Sequence, residues 1–514
     1  GLANYLARNP QIKGIGPAKA RVIAERFGLD LDDALTNRPG EVADAAHVPL
    51  AVIEGLREEW LRTRAFNVAN TWLAAFELTH HQVTTLVAKY GNGVVAVFKA
   101  DPYQLIREVE GYGFKRVDQI ARKMGTPKDS VSRIRGGLLH TVAEALDAGH
   151  TWTEYEDLVA QANTLLVMDT LDSRDQIRAA LDRLIDDKAL ACEAVDGRHL
   201  VARPDIHRME RDLAETFRRA HDRNPSLPPI ADPIACVHEH APSLNDGQQR
   251  AVATVLSHAI TVITGGAGTG KTYTIRALCS IYEALGLSVV LCAPTGKAAK
   301  RMEESTGREA STIHRLLGYD GRDFQVQEPI DADLLVVDEM SMVGLPLFWH
   351  LARAVDPSRT AIVMSGDRFQ LLPVECGAIL RDLVTTRMVP VAELDEVVRQ
   401  AGVLKENSSA VLRGTVAPPS DVEADGLRSW YRVANLGEPT ELLAFVRALY
   451  TTKLPELGLD VVRDVQLLSP TRKGPLGVTA LNVELQRLVQ NARYGVDVPP
   501  VPANRRPQPR LHDK

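Results

Sequence analysis

The sequence predicts an α/β protein, a parallel sheet built around a phosphate-binding loop, preceded by a mainly helical region. Three observations carry that expectation. From residue 244 onward short β-branched runs alternate with helical stretches ("AITVITGG", "SVVLCAPT", "ADLLVVDE", "RTAIVMSGD"), as buried parallel strands joined by crossover helices do. The first of these runs breaks into Gly265-Gly266-Ala267-Gly268-Thr269-Gly270-Lys271-Thr272, which satisfies GxxxxGK[ST] and opens a helix. The first 150 residues read instead as short helices punctuated by glycine. At 514 residues the chain exceeds what one core can organise, so roughly three or four domains are expected.

Residues 1–150 open with "IKGIGPAKARVIAERFG" (12–28), a helix-hairpin-helix signature in which Gly14-Ile15-Gly16 makes a tight hairpin with exposed N–H groups. Arg8, Lys13, Lys19, Arg21 and Arg26 surround it against a single acid, Glu25, a balance suited to holding DNA phosphates without reading bases. "VEGYGFKRVDQIARKMG" (109–125) repeats the plan, with Phe114 expected to close its hairpin by an apolar contact. "HVPLAVIEGLREEW" (47–60) is a weaker copy. Packing without any DNA contact is the alternative for all three. Residues 151–223 are expected to form a winged-helix-like domain and linker, with Asp196-Gly197 turning a strand pair inside "LACEAVDGRHLVARP". A proline-rich linker follows at 224–243, then the α/β domain at 244–390. A last α/β segment spans 391–514, where "VQLLSPTRKG" reads as a strand running into a functional loop.

Composition narrows the class. Five scattered cysteines without a CxxC pair argue against structural zinc and a disulfide framework, and point to a reducing cytoplasm. No apolar run approaches the roughly 18 residues of a spanning helix, and no signal-peptide pattern opens the chain. A net charge of −6 means that any nucleic-acid contact must come from locally basic surfaces. Gly1 stands where an initiator Met would, which suggests a fragment end.

The glycine loop carries the first chemistry. Backbone N–H groups of Gly266, Gly268, Thr269 and Gly270 close around phosphates, Lys271 supplies a cation, and the Thr272 hydroxyl can ligate Mg²⁺. About 65 residues on, "LLVVDEMSMV" ends a buried strand in Asp338-Glu339. Asp338 is the natural Mg²⁺ partner and Glu339 the base that orients the attacking water. "MSGDRFQLLPV" ends another strand with Gly366, Asp367 and Gln370, and a glutamine there can sense a γ-phosphate by hydrogen bonding. Upstream, Gln248 donates and accepts side by side, as reading an adenine edge requires; an exposed helix-start residue is the plainer alternative. Pro294-Thr295-Gly296-Lys297 leads into a helix whose N–H groups suit a backbone phosphate.

Together GGAGTGKT, APTGKAAKRMEESTG, TIHRLLG, VVDEMSMV, GDRFQLLPVECG and LDEVVRQ resemble the RecD-like branch of superfamily 1 DNA helicases, in its longer form with a helix-hairpin-helix extension. "LLSPTRKGPLGVTALNVELQ" (467–486) is similar to that family's second motor domain. The resemblance implies two RecA-like P-loop motor domains, the second incomplete here, using ATP and Mg²⁺. It implies an adenine-reading role for Gln248 and single-stranded DNA contacts at Pro294, Thr295, Gly296, Lys297, Thr312 and His314, with Ser469, Thr471 and Arg472 in the second motor stretch. Arg399 matches an arginine that reaches the γ-phosphate. The implied activity is translocation along single-stranded DNA, 5′→3′, with separation of duplex, by a monomer acting at single-strand/duplex junctions. A short hairpin at about 318–331 matches the place of a pin that meets the junction in relatives.

The family's motif V and motif VI stretches do not occur in the sequence, so residues 390–514 read as half a domain. The expectation is that this chain alone binds nucleotide weakly and does not unwind DNA. Three other readings stay open: an ATP-switched junction-binding protein, the helicase module of a relaxase or recombination complex, and an RNA-directed motor.

Overall fold

The computed structural model describes residues 2–8, 12, 14–73, 76, 78–108, 113–123, 125–168, 170–219, 224–227, 230–266, 268–325, 329–396, 403–415, 433 and 436–494. It divides the chain into two units, 1–399 and 400–514.

The front of the first unit holds two cores. Leu6, Ile15, Ile23, Leu35, Ile53 and Trp60 close one of them. Gly14 takes a left-handed φ of 90° at its hairpin, and a Cβ there would stand 3.0 Å from Val52 in the helix Leu50–Leu73. This hairpin is thus packed against a neighbouring helix, and its basic helix Pro17–Phe27 faces solvent with Lys19, Arg21 and Arg26 exposed. The second core runs from Ala69 to Val201. Phe114 is buried in it between Tyr103 (5.7 Å) and His140 (5.6 Å), while residues 109–112 of its hairpin lie outside the described residues.

That second core continues across residues 150 and 151. The helix Val131–Asp147 packs on Tyr155–Leu166 and Ser173–Asp186, so a cut at residue 150 would split one apolar interior. Strands β1 (Thr153–Glu154), β2 (Ala191–Val195) and β3 (Arg198–Ala202) add an antiparallel sheet in the order β1-β3-β2. Asp196 (φ 50°) and Gly197 (φ 76°) form the two-residue turn between β2 and β3.

The larger sheet is β4 (Ile260–Gly265), β5 (Val289–Ala293), β6 (Ala310–Thr312), β7 (Leu334–Val337), β8 (Ala361–Gly366) and β9 (Val391–Leu394). Its order is β6-β5-β7-β8-β4-β9, with every neighbouring pair parallel. Side chains alternate between two buried faces. Leu334 and Val336 join Ile263 and the helices Asp246–Ser257 and Lys271–Ala284, while Leu335 and Val337 join the helices Leu345–Arg353 and Ile379–Thr386. This two-sided burial explains why the strands read as unbroken apolar runs.

The helix Pro204–Arg219 belongs to the second of these faces. Phe217 stacks on Phe348 at 6.2 Å, and Trp349 Nε1 donates to Asp212 at 2.9 Å. The front region is thereby joined to the α/β domain within the first unit. Val391–Leu394 pairs with β4 as the edge strand of the sheet, and the first unit runs to residue 399.

In the second unit the described residues include the helices Val403–Leu412, Pro439–Ala448 and Val478–Tyr494, and no strand. The strand expected at "VQLLS" has no ladder partner among the described residues, and Leu468 stands 83% exposed. An apolar run becomes a strand only where a second backbone accepts its hydrogen bonds. No helix among the described residues is long and apolar enough to cross a membrane.

Candidate nucleotide and DNA site

β4 pairs with β8 on one side and β9 on the other, so the glycine loop leaves the sheet where the strand order reverses, the place where α/β sheets open a crevice. Gly268 (φ 83°) and Gly270 (φ 86°) adopt the left-handed conformation that the loop needs. A Cβ at Gly270 would collide with the Gln248 amide. No side chain caps the helix Lys271–Ala284, so its first-turn N–H groups are left for an acceptor in the loop. Lys271 Nζ donates to the carbonyls of Gly265 (2.6 Å) and Gly266 (3.2 Å), and Thr269 Oγ1 donates to Gly266 O at 3.0 Å. The loop thus holds a cation and uncapped N–H donors together, a donor set fitted to phosphate oxygens. Thr272 follows in the first helical turn, half-buried.

Gln248 is buried and already engaged. Its Oε1 accepts from Asn245 N (3.2 Å) in a capping box, and its Nε2 donates to Thr269 O at 3.4 Å. The structure therefore places this amide between the helix start and the loop, where it braces both.

The carboxylates arrive from β7. Asp338 N donates to Cys292 O (3.0 Å), continuing the ladder to β5 past the strand end. Glu339 then takes φ 54° and ψ 39°, a left-handed conformation unusual for a side chain of its size. Burial raises its pKa above the usual carboxylate range, and the Asp338 and Asp367 charges add to the shift. Lys271 and Arg301 pull the other way. The loop lysine, both carboxylates and the aspartate after β8 thus share one electrostatic neighbourhood. Asp367 is buried, with Oδ1 accepting from Phe369 N at 3.0 Å. Gln370 sits in the following turn, its backbone N–H donating to Asp367 O (3.1 Å) and its side-chain Oε1 accepting from Ser341 Oγ (3.2 Å). A cleft of about 140 Å³ opens between Gly265, Gly266, Thr269, Asp367, Phe369 and Glu393.

A second set of turns lies at the ends of β5 and β6. Pro294 follows β5, and Thr295 caps the helix Gly296–Thr306 by accepting from Ala298 N at 3.2 Å, with Gly296 and Lys297 exposed in its first turn. Thr312 caps Ile313–Leu316 by accepting from Arg315 N (3.1 Å). The His314 ring meets Tyr319 edge-on at 5.3 Å. Tyr319 and Phe324 form one antiparallel bridge across a four-residue turn; residues 326–328, inside the expected hairpin, lie outside the described residues.

The family model of the ATP-dependent RecD2 DNA helicase HHH domain matches residues 62–152, and that of an AAA domain matches 243–429. The ATP-dependent RecD2 DNA helicase of Deinococcus radiodurans is 31% identical over 510 residues, covering 97% of this chain and 68% of that protein. The chain belongs to the RecD-like family of superfamily 1 DNA helicases. Nucleotide use goes with that membership. The RecBCD enzyme subunit RecD of Mycolicibacterium smegmatis is 36% identical over 278 residues, covering 47% of this chain and 50% of that subunit. Among solved structures the Pif1 helicase of Candida albicans matches with a TM-score of 0.28 and 23% identity, over 34% of this chain and 45% of its own. The helix-hairpin-helix match includes the 109–125 unit and leaves the 12–28 unit outside it.

In the second unit of this RecD-like protein, Ser469 Oγ donates to Leu476 O at 2.7 Å and Val478 N donates to Thr471 O at 2.9 Å. These bonds fold Ser469, Thr471 and Arg472 into one exposed turn before the helix Val478–Tyr494. Arg399 and Ala267 lie outside the described residues. Sequence reasoning missed Ser341 and Arg301. Ser341 lay inside the quoted carboxylate motif without a role, and Arg301 had only its spacing of one helical turn from Lys297 as a signal.

Proposed function

We propose that the protein is an ATP-driven motor that moves 5′→3′ along single-stranded DNA and separates the duplex at a junction, acting as a cytoplasmic monomer. The convergence of Lys271, Asp338, Glu339 and Asp367 at the C-terminal edge of β4, β7 and β8 carries this reading. Lys271 exchanges its two loop carbonyls for phosphate oxygens as the nucleotide enters, and the uncapped N–H groups of its helix hold the same phosphates. Mg²⁺, held by the Thr272 hydroxyl and the Asp338 carboxylate, would offset phosphate charge. Glu339 orients the attacking water and takes its proton. Gln370 donates to the γ-phosphate and registers its loss. Gln248 supports the adenine side of the pocket through the loop it braces.

The turns at Pro294–Lys297 and at Thr312 and His314, half-buried except for the exposed Gly296 and Lys297, offer N–H groups and small polar side chains to a strand backbone, a surface suited to a strand sliding past. Ser469, Thr471 and Arg472 are the corresponding contacts of the second unit, and Arg399 supplies a further cation to the γ-phosphate.

Steady-state ATP turnover with and without single-stranded DNA separates a motor from a switch. Strong stimulation is expected, and slow turnover on saturating DNA would overturn the motor. Partial duplexes with a 5′, a 3′ or no overhang read direction and loading together. Unwinding from the 3′ overhang alone would reverse the proposed polarity.

A further inference from the structure

The turns after β7 and β8 approach more closely than their side chains alone would allow. A Cβ at Gly366 would stand 3.2 Å from the amide nitrogens of both Met340 and Ser341, and 2.6 Å from Leu380 Cδ2. Glycine at the end of β8 gives room for the 3₁₀ turn Met340–Met342, which the left-handed Glu339 starts; a Cβ there would crowd it. Within that contact Ser341 is buried at 7% exposure, and its hydroxyl spans the gap to Gln370 Oε1 at 3.2 Å. Gln370 itself is exposed. An exposed glutamine with a free side chain samples several rotamers and loses that freedom on binding a ligand. A hydroxyl that holds the amide oxygen removes part of this cost and leaves the N–H₂ end as the donor.

We propose that Ser341 is a positioning residue for Gln370, holding its carboxamide by the oxygen so that the nitrogen is presented to the γ-phosphate. The inference rests on reading Gln370 as the γ-phosphate sensor. It adds a mechanical consequence, because Ser341 sits two residues after Glu339. The residue that activates water and the residue that registers γ-phosphate then move as one body, joined by a single hydrogen bond across two adjacent strands.

The test needs no turnover. The full chain with Mg²⁺ is titrated with fluorescent ADP and with a fluorescent non-hydrolysable ATP analogue, and the ratio of the two dissociation constants is the readout. In Ser341→Ala the analogue should bind about three- to tenfold more weakly, the worth of one neutral hydrogen bond, with ADP within about twofold. Gln370→Ala should show the same selective loss, and the double variant should be no worse than Gln370→Ala alone. Ser341→Thr keeps the hydroxyl and should keep the ratio; if Ser341→Ala unfolds, a ratio in Ser341→Thr fallen to the Gln370→Ala level overturns the proposal. Equal weakening of both nucleotides, no weakening, or additive losses in the double variant would each overturn it, leaving Gln370 as a sensor. A Gln370→Ala variant that still discriminates the analogue from ADP would instead sink the sensor reading, and the proposal with it.

Discussion

Gly270→Ala tests the loop most directly, and its cost can be worked from the structure. Gly270 holds φ 86°, and an L-residue forced into the left-handed region loses roughly 1–2 kcal/mol. The new methyl collides with the Gln248 amide, which must leave its hydrogen bond to Thr269 O. At 3.4 Å that bond is long, so its loss adds about 0.5 kcal/mol, and up to about 1.5 if the capping box with Asn245 goes too. The sum is about 1.5–3.5 kcal/mol, which at 1.4 kcal/mol per decade is roughly a 10- to 300-fold loss of nucleotide affinity. Because the strain is confined to one turn, the thermal midpoint should shift far less than the affinity. Fluorescent-nucleotide titration alongside thermal melting reads both. Affinity retained within threefold would refute the claim that this backbone conformation is the binding conformation.

Other perturbations separate the remaining parts of the molecule. Phe217→Ala should cost about 3–5 kcal/mol at the seam between the helix Pro204–Arg219 and the α/β domain, seen as early proteolysis of that helix while nucleotide affinity is kept. Arg133→Met should loosen the second core by about 3–5 kcal/mol, since Arg133 clamps Asp118 bidentately (2.7 and 2.9 Å) and the Leu166 carbonyl at 2.9 Å. Burial alone would raise the Asp118 pKa, but the bonds from Arg133 and Tyr103 outweigh it and hold it below the usual range. Stability from this pair is therefore complete above an unfolded carboxylate pKa of about 4 and is lost as pH falls through the depressed folded value. The acid limb of the melting curve should be steeper in the unsubstituted protein than in Arg133→Met; identical limbs would count against the pair. Replacing 321–327 with a short Gly/Ser turn should spare DNA-stimulated ATP turnover and abolish unwinding, and unaltered unwinding would remove the hairpin from the junction.

Local chemistry was legible in the sequence wherever a motif is read by consecutive residues. GGAGTGKT must turn between strand and helix because its glycines permit φ values that others resist, and Asp196-Gly197 must turn a hairpin for the same reason. Strands β4, β5, β7 and β8 were legible because burial on both faces demands unbroken apolar runs. β6 and β9 were missed: each is a short edge strand with half-buried residues, so neither carries the apolar run that betrays a central strand.

What consecutive residues determined by themselves is thus the phosphate loop, the acidic strand end, the turns that flank them and the family to which they belong. The tertiary structure alone decided which of these meet. Ser341 reaches Gln370 because β7 and β8 are neighbours and Gly366 lets their turns touch, a relation between residues 29 apart that no spacing rule contains. It also decided that the front region is joined to the α/β domain, since Phe217 and Trp349 find partners only when two distant helices pack. Gln248 shows the same division: its type suits an adenine, and the fold engages its amide with the helix start and the glycine loop. Conformational preference acts within a few residues and can be read along the chain, whereas contact partners follow from strand order and packing and exist only in three dimensions.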